Sequence, residues 1–229
     1  MNENLTRREF IGGGTGAALA GAIGMAALEG SAQPSAGSAL KILGISCSPR
    51  KGMTTARATQ AALDAAKAVD GRIEVELIDL GGMNIAGWSP KPPEDDFRLV
   101  LPKLQDPAVA GIIIGSPTYF RGVSALCRAF IERCAPLREP KMVLADKVVG
   151  VVAVGAFRNG GQEMAIEQVQ AAMLCFGMIP VGGNAPAFQG ATVLSVKDDI
   201  SGDTLGLDTA RKLGARVAET ALRLAPRGA

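Results

Sequence analysis

The residues with the clearest potential for chemistry form the loop Ser46–Thr55, which follows a short apolar run. The loop contains four hydroxyl residues, an arginine, a lysine and a glycine. A helix is predicted to begin at Thr54, so N–H groups of its first turn would face a bound phosphate. The spacing fits neither G-x-x-x-x-G-K-[ST] nor G-x-G-x-x-G, which favours a monophosphate, as in FMN, over a dinucleotide. The alternative is a hydroxyl-capped helix start with two surface cations.

A second candidate loop, Gly115–Ser124, contains Tyr119, the only tyrosine of the chain, next to Phe120. Aromatic side chains at an exposed strand end are unfavourably exposed to water unless they cover a flat ligand. An isoalloxazine ring is such a ligand, and backbone groups of this loop could bond its polar edge. Alternatively, these aromatic side chains contact a neighbouring subunit, and both interpretations can hold together.

The third candidate loop, Gly155–Glu163, is rich in glycine and opens another predicted helix. Its N–H donors and the positive end of the helix dipole would stabilise negative charge on a reduced flavin ring. The alternative is that the glycines serve only the geometry of the turn.

Composition narrows the chemistry further, because the chain contains no histidine. Ser-His-Asp and Cys-His nucleophiles are excluded, and so are zinc sites that use imidazole. Flavin chemistry agrees with this constraint, since the ring itself accepts the hydride. The formal net charge of +2 is too small to indicate nucleic acid or an anionic membrane as a partner.

The elements that must position these loops alternate between strands and helices. The predicted strands are 40–46, 72–78, 109–115, 147–155 and 178–182, and the predicted helices are 54–69, 97–104, 124–136, 161–176 and 207–224. Three strands are apolar on both faces, which indicates a parallel sheet covered on both sides. We therefore predict one flavodoxin-like three-layer α/β/α domain over residues 40–225, with five parallel strands in the order 2-1-3-4-5. Residues 184–206 are predicted to be irregular, as a lid or an interface arm.

The four cysteines are Cys47, Cys127, Cys134 and Cys175, and no two of them form a C-x-x-C pair. This spacing disfavours a four-cysteine iron–sulfur site. We expect mostly free, buried thiols and no metal site.

The N-terminus has the order of an export signal. Thr6–Ile11 contains paired arginines with Phe10 two positions on, an uncharged Gly- and Ala-rich run follows, and small residues lead to Ala32. This order resembles a twin-arginine signal and predicts a cleaved segment over residues 1–32, or as far as residue 39. The predicted location is therefore the periplasm. The alternatives are an N-terminal helix or an uncleaved membrane anchor.

The three loops together resemble a known family. Gly44–Gly52, Ser116–Ser124 and Arg158–Glu163 resemble, in order, the phosphate loop, the flavin-ring loop and a third loop of the NADPH-dependent FMN reductase-like family. The third loop, followed by Gly177-Met178, is similar to the iron–sulfur flavoprotein branch of that family.

The resemblance implies a flavodoxin-like oligomer, a homodimer or homotetramer, with FMN near a subunit interface. It implies phosphate ligands at Ser46, Ser48, Arg50, Thr54 and Thr55. It implies a ring pocket formed by Pro117, Thr118, Tyr119, Phe120 and Gly122, completed by Asn159, Gly160 and Gly161. We also expect Tyr119 and Arg158 to shape the pocket for the electron acceptor.

One departure from the family pattern concerns the iron–sulfur branch, which carries clustered cysteines after its second strand. Residues 81–90 of this chain contain no cysteine, so we expect no cluster. The favoured function is an FMN-dependent oxidoreductase that passes electrons from NAD(P)H or a redox carrier to a quinone, a metal ion or another small acceptor. The alternatives are a flavodoxin-type electron carrier that docks to a redox partner, and a flavin-free binding subunit.

Overall fold

The structure, a computed structural model, describes residues 39–225. The predicted export signal at residues 1–32 lies outside the described residues, and its role stays a prediction. Among the helices of the described part, none is both long and apolar enough to cross a membrane.

Strands and helices alternate along the described chain. The strands are β1 (Leu40–Ser46), β2 (Ile73–Asp79), β3 (Val109–Tyr119), β4 (Gly122–Val123), β5 (Val148–Gly155), β6 (Ile179–Pro180) and β7 (Ala191–Leu194). The helices are α1 (Thr54–Lys67), α2 (Phe97–Leu104), α3 (Ala125–Arg133), α4 (Gln162–Leu174) and α5 (Thr204–Leu224). A single 3₁₀ turn, Ala135–Leu137, follows α3.

The strands form one twisted sheet with the order β2-β1-β3-β5-β6. The predicted flavodoxin-like fold class is thereby confirmed, but the predicted five-stranded sheet is too simple. The fifth position is shared, because β6 pairs with Val148–Val149 and β7 pairs with Val152–Gly155, both in parallel. In addition, β4 pairs antiparallel with the end of β3.

The apolar character of β1, β3 and β5 on both faces explains the three layers. Leu43, Ile112 and Val151 pack on one face against α2, α3 and α4. Ile42, Ile113 and Val152 alternate to the other face and pack against α1 and α5. Because successive side chains of a strand point to opposite faces, a strand that is covered on both sides must be apolar throughout.

The helices α1 and α5 approach each other closely on their shared face. A Cβ atom at Gly214 of α5 would lie 1.8 Å from the carbonyl oxygen of Ala62 in α1. Only glycine therefore allows these two helices to pack at this distance.

Two boundaries differ from the sequence prediction in a way that matters for the site. Residues 116–119 continue β3 instead of forming a loop, and they turn back through Phe120 and Arg121 into β4. Both turn residues have left-handed φ angles, 50° and 65°, as a two-residue hairpin turn requires. The segment 184–206, predicted to be irregular, contains β7 and the first residues of α5.

The register of the parallel strands brings the three candidate loops to one edge. Ser46 aligns with Gly115, and Pro117 aligns with Val154. The chain therefore leaves β1, β3 and β5 at the same end of the sheet, where doubly wound folds bind their ligands.

Candidate functional site

The loop after β1 is held in place by backbone hydrogen bonds and by Asp79 at the end of β2. The Asp79 carboxylate accepts the N–H of Gly52 at 2.7 Å and the N–H of Gly81 at 3.1 Å. The N–H of Cys47 donates to the carbonyl of Gly115 at 2.8 Å, which ties the loop to β3. Both ends of the loop are therefore fixed to neighbouring strands.

The helix α1 presents uncapped N–H groups to this loop. Its N-cap residue is Met53, whose side chain makes no capping hydrogen bond. Thr54 and Thr55 are buried at the helix start, and Ser48 is buried beside them. Hydroxyl groups and unpaired N–H donors together form a suitable site for a phosphate oxygen.

A hydrogen-bond network joins the β3–β4 hairpin to the loop after β1, residues 47–53, which is called the phosphate-side loop below. The Ser124 hydroxyl donates to the carbonyl of Cys47 at 2.7 Å and accepts the N–H of Cys127 at 3.0 Å. The N–H of Ser124 donates to the Ser116 hydroxyl at 3.1 Å. These buried contacts fix the distance between the two loops.

The hairpin presents both polar and aromatic groups. Thr118 has a buried hydroxyl with no hydrogen-bond partner among residues 39–225. Tyr119 is 42% exposed, and Phe120 at the turn is fully exposed. A buried hydroxyl without a partner is costly, so its position beside a cavity indicates a ligand.

The loop after β5 is organised by Gln162 at the start of α4. The Gln162 side chain donates to the carbonyl of Phe157 at 2.6 Å and accepts the N–H of Gly160 at 3.0 Å. Gly161 has a left-handed φ of 97°, and a Cβ atom there would lie 2.8 Å from Cα of Arg121. The loop thus packs against the hairpin turn.

These loops surround one cavity of about 310 Å³, a size within the usual range of ligand sites. The residues that line it are Ser48, Arg50, Thr54, Thr55, Pro117, Thr118, Tyr119, Val154, Gly155, Ala156, Ser195, Lys197 and Asp198. Arg50 and the hydroxyls of Ser48, Thr54 and Thr55 lie in the phosphate-side loop and at the start of α1, and the tyrosine lies at the hairpin. Lys197, the second cation of the lining, lies after β7. The cavity therefore has a polar end and an aromatic end.

Seven of the predicted site residues line this cavity, and seven do not. Those outside its lining are Ser46, Phe120, Gly122, Arg158, Asn159, Gly160 and Gly161. The Ser46 side chain is fully buried, and its hydroxyl also lacks a hydrogen-bond partner within the described chain.

Arg158 is engaged away from the cavity, in an ion pair with Asp203 at the start of α5. Burial by itself would raise the pKa of Asp203. The Arg158 guanidinium and the N–H groups of Leu194 and Gly206 outweigh burial and hold the pKa below its ordinary value. The carboxylate is therefore ionised and caps α5, while Arg158 has a structural partner.

Sequence reasoning missed the residues that reach the cavity after β7: Ser195, Lys197 and Asp198. Asp198 pairs with Arg50 of the phosphate-side loop, with 2.8 Å between Oδ1 and Nη1. The charged run Lys197–Asp199 follows a stretch that contains Val193, Leu194 and Val196, and this change in polarity is the local signal of a turn at a strand end.

The thiols near the site are not poised for nucleophilic chemistry. All four cysteines are free, and Cys47, Cys127 and Cys134 are buried as expected, whereas Cys175 is exposed. Burial raises the pKa of the Cys47 thiol well above its ordinary value, and the adjacent Cys127 thiol adds to this rise. Within the described chain, no group of three or more Cys, Asp or Glu side chains is arranged to hold a metal ion.

Comparison with known proteins identifies the family. A family model described as NADPH-dependent FMN reductase matches residues 40–193. The chain belongs to the NADPH-dependent FMN reductase family. This membership confirms the family predicted from the three motifs and makes the protein a flavin-dependent oxidoreductase.

Individual relatives agree with this family. An iron–sulfur flavoprotein of Methanocaldococcus jannaschii is 42% identical over 191 residues, which cover 79% of this chain and 96% of that protein. An iron–sulfur flavoprotein of Methanosarcina thermophila is 32% identical over 183 residues, covering 76% and 93% of the two chains. The structure of a WrbA-like flavodoxin from Agrobacterium tumefaciens matches with a TM-score of 0.58 at 20% identity, over 81% of this chain and 98% of that one. This structural likeness shows the shared fold.

The residues that the family model matches include all three candidate loops predicted from the sequence. The match ends at residue 193. The turn that carries Lys197 and Asp198 thus lies beyond the residues that the family model matches.

Proposed function

We propose that the protein binds FMN in the 310 Å³ cavity and uses it to transfer electrons between small-molecule or protein partners. The observation that carries the proposal is that one cavity is lined both by hydroxyl groups at the start of α1 and by an aromatic side chain. Ser48, Thr54 and Thr55 offer hydroxyls beside the uncapped N-terminus of α1, and Tyr119 lies at the opposite end. Phosphate suits the first end, and a flat aromatic ring suits the second.

The residues divide the work of binding between them. Arg50 would offset the negative charge of the phosphate, and the hydroxyls would bond its oxygens, which would fix the position of the whole ligand. Pro117 and Thr118 would contact the ring, and the Thr118 hydroxyl would be available to bond one of its polar atoms. Tyr119 would shield the ring from water.

Bound FMN supplies the hydride and electron chemistry itself, so the protein needs no acid or base of its own. This division agrees with a chain that lacks histidine. The donor that we propose is NAD(P)H or a reduced redox carrier, and the acceptor is a quinone, a metal ion or another small oxidant. Tyr119 lines the cavity and remains our candidate for shaping the acceptor pocket, while the same role for Arg158 stays a prediction.

Anaerobic reduction tests this proposal. The flavin-loaded protein is mixed with NADPH, NADH or a reduced carrier, bleaching of the flavin absorbance is followed, and then a quinone or ferric chelate is added. We expect at least one donor to bleach the flavin and one acceptor to restore it over many turnovers. A protein that holds FMN but turns over with no pair of partners would favour the alternative, a non-enzymatic carrier.

A matched pair of variants links turnover to the cavity. Tyr119→Leu removes an aromatic side chain that lines the cavity, and Phe188→Leu removes one that is 73% exposed and outside its lining. We expect only Tyr119→Leu to change KM for the acceptor or the affinity for FMN. Equal effects of the two substitutions would show that the ring does not lie against Tyr119.

We also propose that a second copy of the chain covers the rim of the cavity. Phe120 is fully exposed and Phe157 is 76% exposed, and each follows a residue that lines the cavity. Large exposed aromatic side chains beside a ligand site are typical of interfaces. Light scattering should give the mass of a dimer or tetramer, and Phe120→Ser with Phe157→Ser should lower it. A monomeric wild-type protein would refute this part of the proposal.

We propose further that no iron–sulfur cluster is bound. Carboxylates organise the loop after β2, where Asp95 accepts the N–H of Ala86 at 3.0 Å and pairs with Arg133. Glu132 accepts the N–H of Trp88 at 2.9 Å. Iron and sulfide analysis of protein purified without oxygen should find neither in stoichiometric amount.

We propose export to the periplasm from the paired arginines, the uncharged run that follows them and the small residues that lead to Ala32. Fractionation of expressing cells should place the mature protein in the periplasm, with a new N-terminus after Ala32. Replacing Arg7 and Arg8 by lysine should retain the precursor in the cytoplasm. Unchanged export of that variant would refute the twin-arginine route.

A further inference from the structure

The turn that follows β7 reaches the phosphate end of the cavity from the edge of the sheet. β7 pairs with the carboxyl end of β5, and the N–H of Ser195 continues this pairing by donating to the carbonyl of Gly155 at 2.8 Å. The chain therefore leaves β7 at the same edge as the three loops already described. This turn, Ser195–Asp199, is called the β7 turn below.

The β7 turn has a defined conformation. Val196 and Asp199 exchange two backbone hydrogen bonds, of 2.8 and 3.0 Å, and the two residues between them have left-handed φ angles of 49° and 60°. This is the geometry of a tight two-residue hairpin turn. Asp203 fixes its base by accepting the N–H of Leu194 at 2.6 Å.

Two arginines attach the β7 turn to the phosphate-side loop and to α1. Arg50 Nη1 lies 2.8 Å from Asp198 Oδ1, and Arg57 Nη2 donates to the carbonyl of Asp198 at 2.6 Å. Arg57 also lies 3.6 Å from a carboxylate oxygen of Asp199. The turn is thus attached to the phosphate-side loop at Arg50, which lines the cavity, and to α1 at Arg57.

Lys197 is the cation that this arrangement leaves available. It lines the cavity, and it forms no ion pair among residues 39–225. The charge of Asp198 is already paired with Arg50, and a guanidinium has further N–H donors for a second acceptor. The cavity end therefore offers two cations and one paired anion, which favours a dianionic phosphate monoester.

We propose that the β7 turn closes the phosphate end of the cavity, with the Lys197 ammonium in direct contact with the phosphate of the bound flavin nucleotide. The inference rests on the proposed binding of FMN and adds to it a specificity residue that lies outside the matched family region. It gives the site a preference for FMN over riboflavin, because riboflavin has the same ring and no phosphate.

A flavin titration of the deflavinated full-length protein tests the inference. FMN and riboflavin are each titrated at low and high salt, and quenching of flavin fluorescence gives the two dissociation constants. Lys197→Asn is the test variant, since asparagine tolerates a left-handed φ. Lys51→Asn is the matched control, because Lys51 is an exposed cation of the phosphate-side loop that lies outside the cavity lining.

We expect Lys197→Asn to raise the Kd for FMN about tenfold at low salt, as the loss of one charge-assisted phosphate contact would. Its Kd for riboflavin should change less than twofold, and the FMN effect should shrink at high salt. Lys51→Asn should change each of the two dissociation constants by less than threefold.

Three results would overturn the inference. If Lys197→Asn and Lys51→Asn raise the Kd for FMN equally, the affinity depends on the overall positive charge and not on a direct contact of Lys197 with the phosphate. Equal losses for FMN and riboflavin would place Lys197 at the ring or in the fold. A wild-type protein that binds neither flavin would refute the proposed function itself, and that result is distinct because it appears before any substitution is made.

Discussion

Replacement of Thr118 by valine tests two effects of its buried hydroxyl: the loss of stability in the flavin-free protein and the gain in affinity for FMN. The hydroxyl has no partner within the described chain, although the residue lines the cavity. Valine has nearly the same shape and keeps the β-branch that suits strand β3. The substitution therefore removes one polar group and little else.

The expected effects on stability and binding have opposite signs. Because a buried hydroxyl without a partner costs roughly 1–3 kcal/mol, Thr118→Val should raise the free energy of unfolding of the flavin-free protein by about 1 kcal/mol. If the hydroxyl bonds the flavin ring, its loss removes about 1 kcal/mol of binding, so the Kd for FMN rises about fivefold.

Ser46→Ala is the matched control, since Ser46 carries the other buried hydroxyl without a partner but lies outside the cavity lining. Urea denaturation and flavin titration measure both quantities for each variant. We expect Ser46→Ala to raise stability similarly and to leave the Kd for FMN within twofold. If Thr118→Val leaves the Kd unchanged, the assignment of Thr118 to the ring is wrong. If Ser46→Ala raises the Kd for FMN, Ser46 contacts the phosphate as the family resemblance implies, although its side chain lies outside the cavity lining.

Three further predictions concern the framework of the site. Gly214→Ala should destabilise the protein by about 3 kcal/mol or prevent folding, because its Cβ would lie 1.8 Å from a backbone oxygen of α1; Gly202→Ala, with open space around it, is the control in thermal unfolding. The pKa of Asp203 is lowered on folding, so its contribution to stability is present above the unfolded pKa and is lost as pH falls through the folded pKa. Asp203→Asn should flatten this acid-side loss in urea denaturation. Ellman's reagent should modify one thiol per native chain, Cys175, and all four after unfolding.

Each of these has a clear contrary result. Equal thermal midpoints for the two glycine variants would mean that α1 and α5 do not pack as described. An unchanged acid-side slope in Asp203→Asn would show that this carboxylate does not titrate with folding. Rapid modification of more than one thiol would contradict the burial of Cys47, Cys127 and Cys134.

The sequence predicted those parts of the fold whose signals are local. The apolar runs in β1, β3 and β5 can be recognised without tertiary information, since strands covered on both faces must be apolar throughout. The hydroxyls at Ser48, Thr54 and Thr55 also stand out, because a polar cluster follows a buried strand directly.

The remainder depends on long-range contacts that no local pattern reveals. The role of Arg158 in the site stays a prediction, and no local pattern shows that its guanidinium pairs with Asp203, 45 residues later. β7 has only four residues and gains its place through pairing with β5, so the segment after it gave no sign that Lys197 reaches the cavity. Ser46 stays a predicted ligand, but no local pattern shows that its side chain is fully buried and lies outside the cavity lining.

The visible absorption spectrum of the purified protein, with identification of any chromophore that it releases, tests the central claim most directly. The account predicts two flavin bands and the release of FMN, or the appearance of these bands after FMN is added to colourless protein. A protein that stays colourless and leaves the fluorescence of added FMN unquenched would contradict the assignment of the cavity to this cofactor.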